Sequence, residues 1–408
     1  MKTVPLRRNR DFVLLLTGRL LSAIGSQVSA IAYPLLVLAL TGSPAKAGFV
    51  AFAGLIPHAA FGLLAGVAVD RWNRKRLMIA ADGVRALAIA TLATLIVLDR
   101  VEFWQIAVVA LVEGTGAVFF TAAHAGALRA VVPAPQLPAA VGAIRARAAA
   151  VTLAGPPLGG ALFAVGRAVP FVFDAVSYTF SFLTLVLMRT PFQEEREIDS
   201  ARLRTQIVEG FRFLWTRPFL RTCAFLYGLG NFTLPAVLLV IIVAGQRQGL
   251  SSAAIGALLA AFGACTLIGA LASPLFRRAL SMRAIILLEL WTGLTIVAFV
   301  LWPNVYVLTA AVMVQGLTLP VTDSVVEGYR IAVTPDRLLG RVESARSTIS
   351  LLAAPFGPLL AGFLLSTVSV RATVAVFTGC SLALALWGTL SPSIRRAPSL
   401  DELDALTR

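Results

Sequence analysis

The sequence predicts an all-α membrane protein with twelve transmembrane helices, and three observations lead to that fold class. Of the 408 residues, 58% are hydrophobic and only 13% are charged, whereas soluble domains are about 25% charged. Apolar stretches of roughly twenty residues recur from end to end, and each is long enough to cross about 30 Å of hydrocarbon. The charged residues concentrate in the segments between these stretches. Helices that cross a bilayer repeatedly are therefore expected.

Twelve spans follow one another along the chain. They cover residues 12–40, 46–69, 77–98, 103–128, 138–165, 170–188, 219–244, 252–276, 283–301, 304–328, 339–367 and 369–390. The polar segment after the sixth span contains apolar residues at helical spacing, namely Ile207, Phe211, Leu214 and Trp215. They predict an amphipathic helix on the inner membrane surface. A tether between the halves of the chain is favoured over a partner-binding role.

An internal duplication organises these spans. Four landmarks recur at an offset of 201 to 203 residues: Pro34 with Pro235, Gly66 with Gly269, Pro133 with Pro335, and Gly155-Pro156 with Gly357-Pro358. The chain is therefore predicted to hold two six-helix bundles, 1–188 and 219–390, with a cytoplasmic linker at 189–218 and a cytoplasmic tail at 391–408. Because each copy has an even number of spans, the repeats are expected to be parallel, related by an axis along the membrane normal.

The distribution of charge sets the orientation. The net charge is +15, but if the N-terminus is cytoplasmic, only Lys46, Arg100, Arg167, Arg247 and Arg371 fall in outer loops. Cationic loops stay on the cytoplasmic side of a membrane. A nucleic-acid-binding module would instead cluster its cations on one folded face, so binding to nucleic acid is not expected.

The sequence lacks the residue patterns that several classes of function require. Cys223, Cys265 and Cys380 lie in different spans without metal-binding or disulfide spacing. The chain has no phosphate-binding loop of the form G-x4-G-K-[ST]. It also has only two histidines and no clustered nucleophile with a base. We expect no enzyme, no cofactor and no metal site.

The loop between the second and third spans carries five charges within seven residues. Because lipid cannot solvate such a density of charge, this loop must turn at a membrane surface, on the cytoplasmic side. Its motif comprises Gly66, Asp70, Arg71, Arg74, Lys75 and Arg76. Gly66 is expected to let helices approach closely.

The fifth span carries a second motif of small residues and proline. Its members are Gly142, Gly155, Pro156, Gly159 and Gly160. These residues kink a helix and allow tight packing.

The duplication and these two motifs resemble the major facilitator superfamily. Residues 66–76 fit its pattern G-x-x-x-D-R-x-x-R-[RK], and the fifth span is similar to its antiporter pattern G-x8-G-x3-G-P-x2-G-G, with Val151 in place of one glycine. Three further segments resemble the macrolide-efflux and enterobactin-exporter branch: Leu6-Arg-Arg-Asn-Arg-Asp-Phe12, Gly18-Arg19-Leu-Leu-Ser22 and Leu40-Thr-Gly-Ser-Pro44.

The resemblance implies two bundles that expose a central site to each side of the membrane in turn. It assigns Asp70 to a latch, in which the carboxylate accepts hydrogen bonds at the start of the eleventh helix, near Leu338 and Leu339, where the helix dipole favours an anion. For Arg71 and Arg76, a role as plain topology determinants is an equal alternative. For the glycines of the fifth span, a seal on the outer side and ordinary helix packing carry equal weight.

Ionisable residues within spans are costly and are candidates for function. Glu113 is expected near the midplane of the fourth span, and its repeat mate is Gln315. We expect Arg19 to lie within reach of Glu113, where the pair forms a proton switch or, as the alternative, a static ion pair. His58 titrates near neutrality, although a lone histidine is more often a packing residue.

Two more acidic residues have expected partners within the spans. Asp82 and Arg85 are three residues apart and are expected to pair locally. Glu289 lies on the ninth span, which is peripheral in the resembled family, and an interhelical pair is favoured for it.

The leading hypothesis is a secondary transporter that exports amphipathic organic compounds, such as macrolides, in exchange for protons. Candidates for contact with substrate are Gln27, Tyr33, Phe119, Asn231 and Gln315. Alternatives are export of a siderophore or endogenous metabolite, lipid transport, or a membrane-embedded sensor. We expect a monomer in a bacterial inner membrane with both termini in the cytoplasm.

Overall fold

The computed structural model describes residues 5–190, 192, 202–335 and 338–397, and the regular elements in these ranges are helices. Twelve of its helices are long and apolar enough to cross a membrane, which confirms the predicted fold class. The longer helical segments are α1 Arg10–Thr41, α2 Pro44–Arg71, α3 Arg74–Val97, α4 Phe103–Val131, α5 Leu137–Val165, α6 Val169–Leu187, α7 Arg202–Thr216, α8 Pro218–Arg247, α9 Ser252–Ala279, α10 Met282–Thr292, α11 Val297–Leu301, α12 Val305–Val333, α13 Leu339–Leu352, α14 Phe356–Thr367 and α15 Val370–Leu390. The ninth span consists of α10 and α11, and the eleventh consists of α13 and α14.

Polar caps fix where many of the spans begin. The side chain of Asn9 accepts a hydrogen bond from the backbone N–H of Phe12 at 3.1 Å, and the hydroxyl of Ser281 accepts one from Ala284 at 3.3 Å. Such caps satisfy backbone donors that have no partner within the helix. Each span begins within three residues of its predicted start.

The tenth span extends further than its hydropathy predicts. Its predicted end is residue 328, whereas α12 continues to Val333. The extra turn is stabilised by charge, because Arg330 forms ion pairs with Glu327 and, at 3.3 Å, with Glu343. A hydropathy profile assigns the end of α12 to a loop because the profile counts each charge separately. In the structure the charge of Arg330 is compensated by Glu327 and Glu343.

The described residues form two compact units. The first unit contains α1 to α6 together with Ser251–Ala260, which includes the start of α9, and the second contains α7, α8, the rest of α9 and the remaining helices. Phe12, Met78 and Phe120 belong to a buried core of the first unit. Phe219 and Ile285 belong to a buried core of the second.

An amphipathic helix forms in the segment between the sixth and seventh spans. This helix, α7, packs within the second unit: Leu214 is fully buried, Gly210 lies against the backbone of Arg341, and Glu209 pairs with Arg341. Trp215 stays half exposed. Residues 191 and 193–201 of the predicted linker and 398–408 of the predicted tail lie outside the described residues.

Candidate functional site

A charged cluster occupies the interior of the first unit. We define this charged cluster as Tyr33, Arg85, Glu113 and Tyr178, from α1, α3, α4 and α6. All four side chains are buried. The hydroxyls of Tyr33 and Tyr178 each donate a hydrogen bond to the Glu113 carboxylate, both at 2.8 Å.

Arg85 supplies the cation of the charged cluster. Its guanidinium lies 3.9 Å from the Glu113 carboxylate and 3.5 Å from that of Asp82. It also donates hydrogen bonds to Ser26, at 3.2 Å, and to Tyr178. Hydrogen bonds to charged groups are stronger than those between neutral groups, so the charged cluster ties four helices together through one carboxylate and one guanidinium.

A close helix approach brings a further carboxyl towards the charged cluster. At Gly25 of α1, a Cβ atom would overlap Asp174 and Ser177 of α6, so only glycine fits there. Asp174 is fully buried and accepts a hydrogen bond from the Ser177 hydroxyl at 3.0 Å. The interior of the first unit therefore holds three buried carboxyl groups around Arg85.

The predicted pair of Arg19 with Glu113 is wrong, and Arg85 takes that place. Tyr33, on the same helix as Arg19, contacts Glu113. Arg19 lies fourteen residues earlier, about 21 Å further along the helix axis at 1.5 Å per residue. Its guanidinium instead lies over the ring of Phe120, 4.8 Å from the ring centroid. The predicted local pair of Arg85 with Asp82 is confirmed.

A cavity occupies the interior of the second unit. It has a volume of about 70 Å³ and lies between α8, α10, α12 and α15. We call it the C-terminal cavity, and its polar lining comprises Tyr227, Asn231, Thr233, Glu289, Gln315, Thr322 and Ser381. The interhelical partner of Glu289 is Thr322 of α12, whose hydroxyl adjoins the Glu289 carboxyl. Glu289 forms no salt bridge within the part of the chain that the structure describes.

The duplication relates this cavity to the charged cluster. At offsets of 201 to 203 residues, the mates of the cluster residues are Leu234 for Tyr33, Gln315 for Glu113 and Ser381 for Tyr178. All three mates line the C-terminal cavity. The same offsets give apolar residues, Ile286 to Leu288, as mates of Arg85. Beside the mates of Glu113 and Tyr178 lies Gly293, where a Cβ atom would be 3.8 Å from both the Gln315 amide nitrogen and the Ser381 hydroxyl.

The other predicted substrate contacts are distributed over both units. Gln27 lies against Gly155, and the ring of Phe119 lies 6.5 Å from that of Phe61. Asn231 donates a hydrogen bond to the backbone carbonyl of Ser350 at 2.8 Å. His58 on α2 is half-buried.

The basic loop joins α2 to α3 as predicted. The side chain of Asn73 caps α3, and the Lys75 ammonium donates a hydrogen bond to the backbone carbonyl of Met188 at 2.6 Å. Arg71 and Arg76 are exposed. Arg74 lies against Gly126.

Two predictions about this loop have different outcomes. Gly66 does not mediate a close helix approach, because a Cβ atom there would meet no described atom within 4 Å. The side chain of Asp70, the predicted latch, lies outside the described residues.

Three of the four motif glycines on α5 pack closely within the first unit. Gly155 lies against Gln27, Gly159 against the backbone of Val28, and Gly160 against the backbone of Gly256. Pro156 is buried within the same stretch. Gly142 is exposed, and a Cβ atom there would have no neighbour within 4 Å among the described atoms.

The sequence did not predict that three basic residues, Arg19, His124 and Arg147, form one group. The Arg19 guanidinium and the His124 ring both contact the ring of Phe120, and the centroids of the two rings lie 6.1 Å apart. Two guanidinium nitrogens of Arg147 are buried without a hydrogen-bond partner in the described ranges. The charges of Arg19 and Arg147 act on each other and on His124.

Comparisons with known proteins give consistent matches over nearly the whole chain. A family model described as transmembrane secretion effector matches residues 2–407. The multidrug efflux pump Tap of Mycolicibacterium fortuitum is 29% identical over 406 residues, which cover 95% of this chain and 97% of that protein. Macrolide efflux protein A of Streptococcus pyogenes is 24% identical over 369 residues, covering 88% of this chain and 90% of that protein.

Solved structures share the fold at low sequence identity. A bacterial homologue of the iron transporter ferroportin, in an inward-facing state, superposes with a TM-score of 0.74 at 17% identity, covering 95% of this chain and 99% of that one. The nucleoside transporter NupG superposes with a TM-score of 0.73 at 11% identity, covering 96% and 100%. At these identities the likeness establishes the fold alone.

Proposed function

Because the chain belongs to the transmembrane secretion effector family of the major facilitator superfamily, we propose that it exports amphipathic organic compounds such as macrolides in exchange for protons. The relatives named as multidrug and macrolide efflux proteins support this substrate class. In the proposed cycle, alternating access moves a central site from the cytoplasm to the outside, and Asp70 latches the inner side.

The single observation that carries the proton coupling is the environment of Glu113. It is a carboxyl group buried in a membrane-spanning helix, with two tyrosine hydroxyls and one guanidinium around it. Intramembrane ionisable groups mark proton relays and substrate pathways. We propose that Glu113 takes up a proton when Arg85 moves away, and releases it when the pair forms again.

The proposed orientation places both termini in the cytoplasm of a bacterial cell, with the protein acting as a monomer in the plasma membrane. The basic loop at 71–76 supports this assignment, since cationic loops remain on the cytoplasmic side. Addition of a cysteine-reactive, membrane-impermeant label to a cysteine placed at Arg76 tests it. Labelling in everted vesicles but not in intact cells is expected, and the reverse pattern contradicts the orientation.

Everted membrane vesicles test the proton coupling. With an acidic lumen, vesicles that contain the wild-type protein are expected to accumulate radiolabelled erythromycin, and Glu113→Gln is expected to reduce this accumulation to background. Asp99→Asn is the matched control, because Asp99 is exposed and its φ of 51° suits asparagine. Accumulation by Glu113→Gln that still follows the pH gradient excludes Glu113 as the coupling acid.

The basic group around Phe120 favours a second candidate substrate class, namely an anionic metabolite such as a deprotonated siderophore. Buried guanidinium nitrogens that lack a partner among the described residues suit a carboxylate or catecholate oxygen. Arg147→Gln is then expected to weaken export of an anionic catecholate while export of erythromycin is retained. Equal effects on both compounds exclude a role in recognising anions.

A further inference from the structure

The C-terminal cavity contains a carboxyl group that the proposed cycle does not use. Glu289 lies on the α10 wall of the cavity and, within the described ranges, has no cation paired with it. Glu113, by comparison, has the Arg85 guanidinium at 3.9 Å and two tyrosine hydroxyls. The two carboxyls therefore differ in how freely each can exchange a proton.

The size of the C-terminal cavity decides what it can hold. Pockets for drug-sized ligands measure about 300–1,000 Å³, and this cavity measures about 70 Å³. A water molecule needs about 10–15 Å³ of such volume and two to four polar partners. The amides of Asn231 and Gln315 and the hydroxyls of Thr322 and Ser381 supply those partners. The cavity suits a few water molecules and is too small for an exported drug.

Polar groups continue from Glu289 along α12 towards the C-terminal end of that helix, where Arg330 lies. Thr322 adjoins the Glu289 carboxyl, and Asp323 follows it beside the hydroxyl of Tyr227. Glu327, paired with Arg330, lies about 7.5 Å beyond Thr322 at 1.5 Å per residue. This series connects the cavity with the charged end of the helix.

The titratable groups that face Glu289 come from several packed helices. Cys223 and Tyr227 approach it from α8, and Asp323 approaches it from α12. Arg346 of α13 acts on Asp323 and is itself paired with Glu343 at 2.7 Å. From α15 the cavity receives the neutral hydroxyl of Ser381. The described surroundings of Glu289 thus hold acids and hydroxyls, and Arg346, the cation that acts on Asp323, already has a partner.

We propose that Glu289, together with water in the C-terminal cavity, forms a second proton-binding site. Thr322 and Asp323 connect this site to the C-terminal end of α12. The proposal rests on the proposed proton-coupled export and adds to it. One proton then travels on Glu113 and a second on Glu289, so that each transport cycle exchanges two protons for one substrate molecule.

The proton stoichiometry of reconstituted protein tests this site. At zero membrane potential, a pH gradient of one unit sustains about 100-fold erythromycin accumulation with two protons per cycle and about tenfold with one. Wild-type protein and Glu289→Asp are expected to reach the higher ratio, and Glu289→Gln the lower one. An unchanged ratio in Glu289→Gln overturns the proposal while leaving proton-coupled export intact.

An infrared pH titration of the purified protein tests the site independently of transport. A carbonyl band from a protonated carboxyl is expected in wild-type protein and in Glu113→Gln, and it is expected to disappear in Glu289→Gln. If wild-type protein does not couple to protons but this band titrates, the proposed function fails and the proton site stands. If Glu289→Gln retains every carboxyl band of the wild type, the site is excluded, even if that variant is inactive in transport.

Discussion

The two units fill their interiors differently at matched positions. The matched pairs are Glu113 with Gln315, Tyr178 with Ser381, and Tyr33 with Leu234. Arg85 lies beside Glu113 and Tyr178, whereas Gly293 lies beside Gln315 and Ser381. In the first unit, large polar side chains close the space between the helices with a charged network. In the second unit, smaller or neutral side chains leave the C-terminal cavity. The residues at these matched repeat positions therefore give the interiors of the two units different chemistry.

This difference indicates a division of roles between the units. The Glu113 carboxylate is held by one guanidinium and two hydroxyls, so a change in its protonation requires rearrangement of the helices that carry them. Glu289, one helical turn before Gly293, faces a cavity that has room for water. We therefore expect protonation of Glu113 to follow conformational change and protonation of Glu289 to follow the pH of the water that reaches it.

The largest expected effect comes from removal of the cation in the first unit. Arg85→Met leaves the Glu113 and Asp82 carboxylates buried without their partner, and breaking a buried ion pair on one side costs about 3–5 kcal/mol. The free energy of unfolding in detergent measures this loss. The matched control is Arg283→Met, at an exposed arginine on α10, which is expected to change stability by less than about 0.5 kcal/mol. A comparably small effect of Arg85→Met contradicts the assignment of the charged cluster as the centre of the first unit.

Substitutions at Gln315 and Gly293 test whether the second unit can hold an ion pair like that of Glu113 and Arg85. Gln315→Glu alone places a second carboxylate near Glu289 and is expected to destabilise the protein. Addition of Gly293→Arg is expected to recover part of the loss, because a Cβ atom at Gly293 lies 3.8 Å from the Gln315 side chain. A double-mutant cycle should give a favourable coupling of about 0.5–3 kcal/mol. Additive effects would show that positions 293 and 315 do not hold such a pair.

The third comparison concerns the hydroxyls of Tyr178 and Ser381, which occupy matched repeat positions. Tyr178→Phe removes a hydrogen bond to the Glu113 carboxylate, and bonds to charged groups contribute about 1.5–3 kcal/mol. Ser381→Ala removes a hydroxyl that lines the cavity and lies outside the charged cluster, and its expected cost is smaller than that of Tyr178→Phe. Thermal unfolding of both variants under identical conditions provides the test. Similar losses would show that the two interiors are equivalent.

Most of the fold is predictable from the sequence because hydropathy and repetition report directly on it. Each apolar run of sufficient length forms a span, and the constant offset pairs Glu113 with Gln315 from the sequence alone. The end of α12 is the exception, because Arg330 satisfies Glu327 and Glu343 within a stretch that hydropathy assigns to a loop.

The candidate site is less predictable because it depends on the relative depth and rotation of neighbouring helices. The sequence places Arg19 near Glu113, whereas Arg19 lies about 21 Å along α1 from Tyr33, which contacts Glu113. Arg85 of α3 reaches the carboxylate instead. The position of Glu289 on a peripheral span suggests an interhelical pair, and the hydropathy profile gives no sign of the cavity beside it. Applying the repeat offset to Tyr33 and Tyr178 as well indicates a loss of side-chain volume in the second unit, and therefore the cavity beside Glu289.

Proton movement driven by substrate alone tests the central claim most directly. Proteoliposomes are loaded with erythromycin and a pH-sensitive dye, then diluted into drug-free buffer at the same pH. Exchange of drug for protons predicts that the lumen acidifies as erythromycin leaves, and that Glu113→Gln abolishes this acidification. Erythromycin efflux through the wild-type protein without any change in lumenal pH would contradict the account.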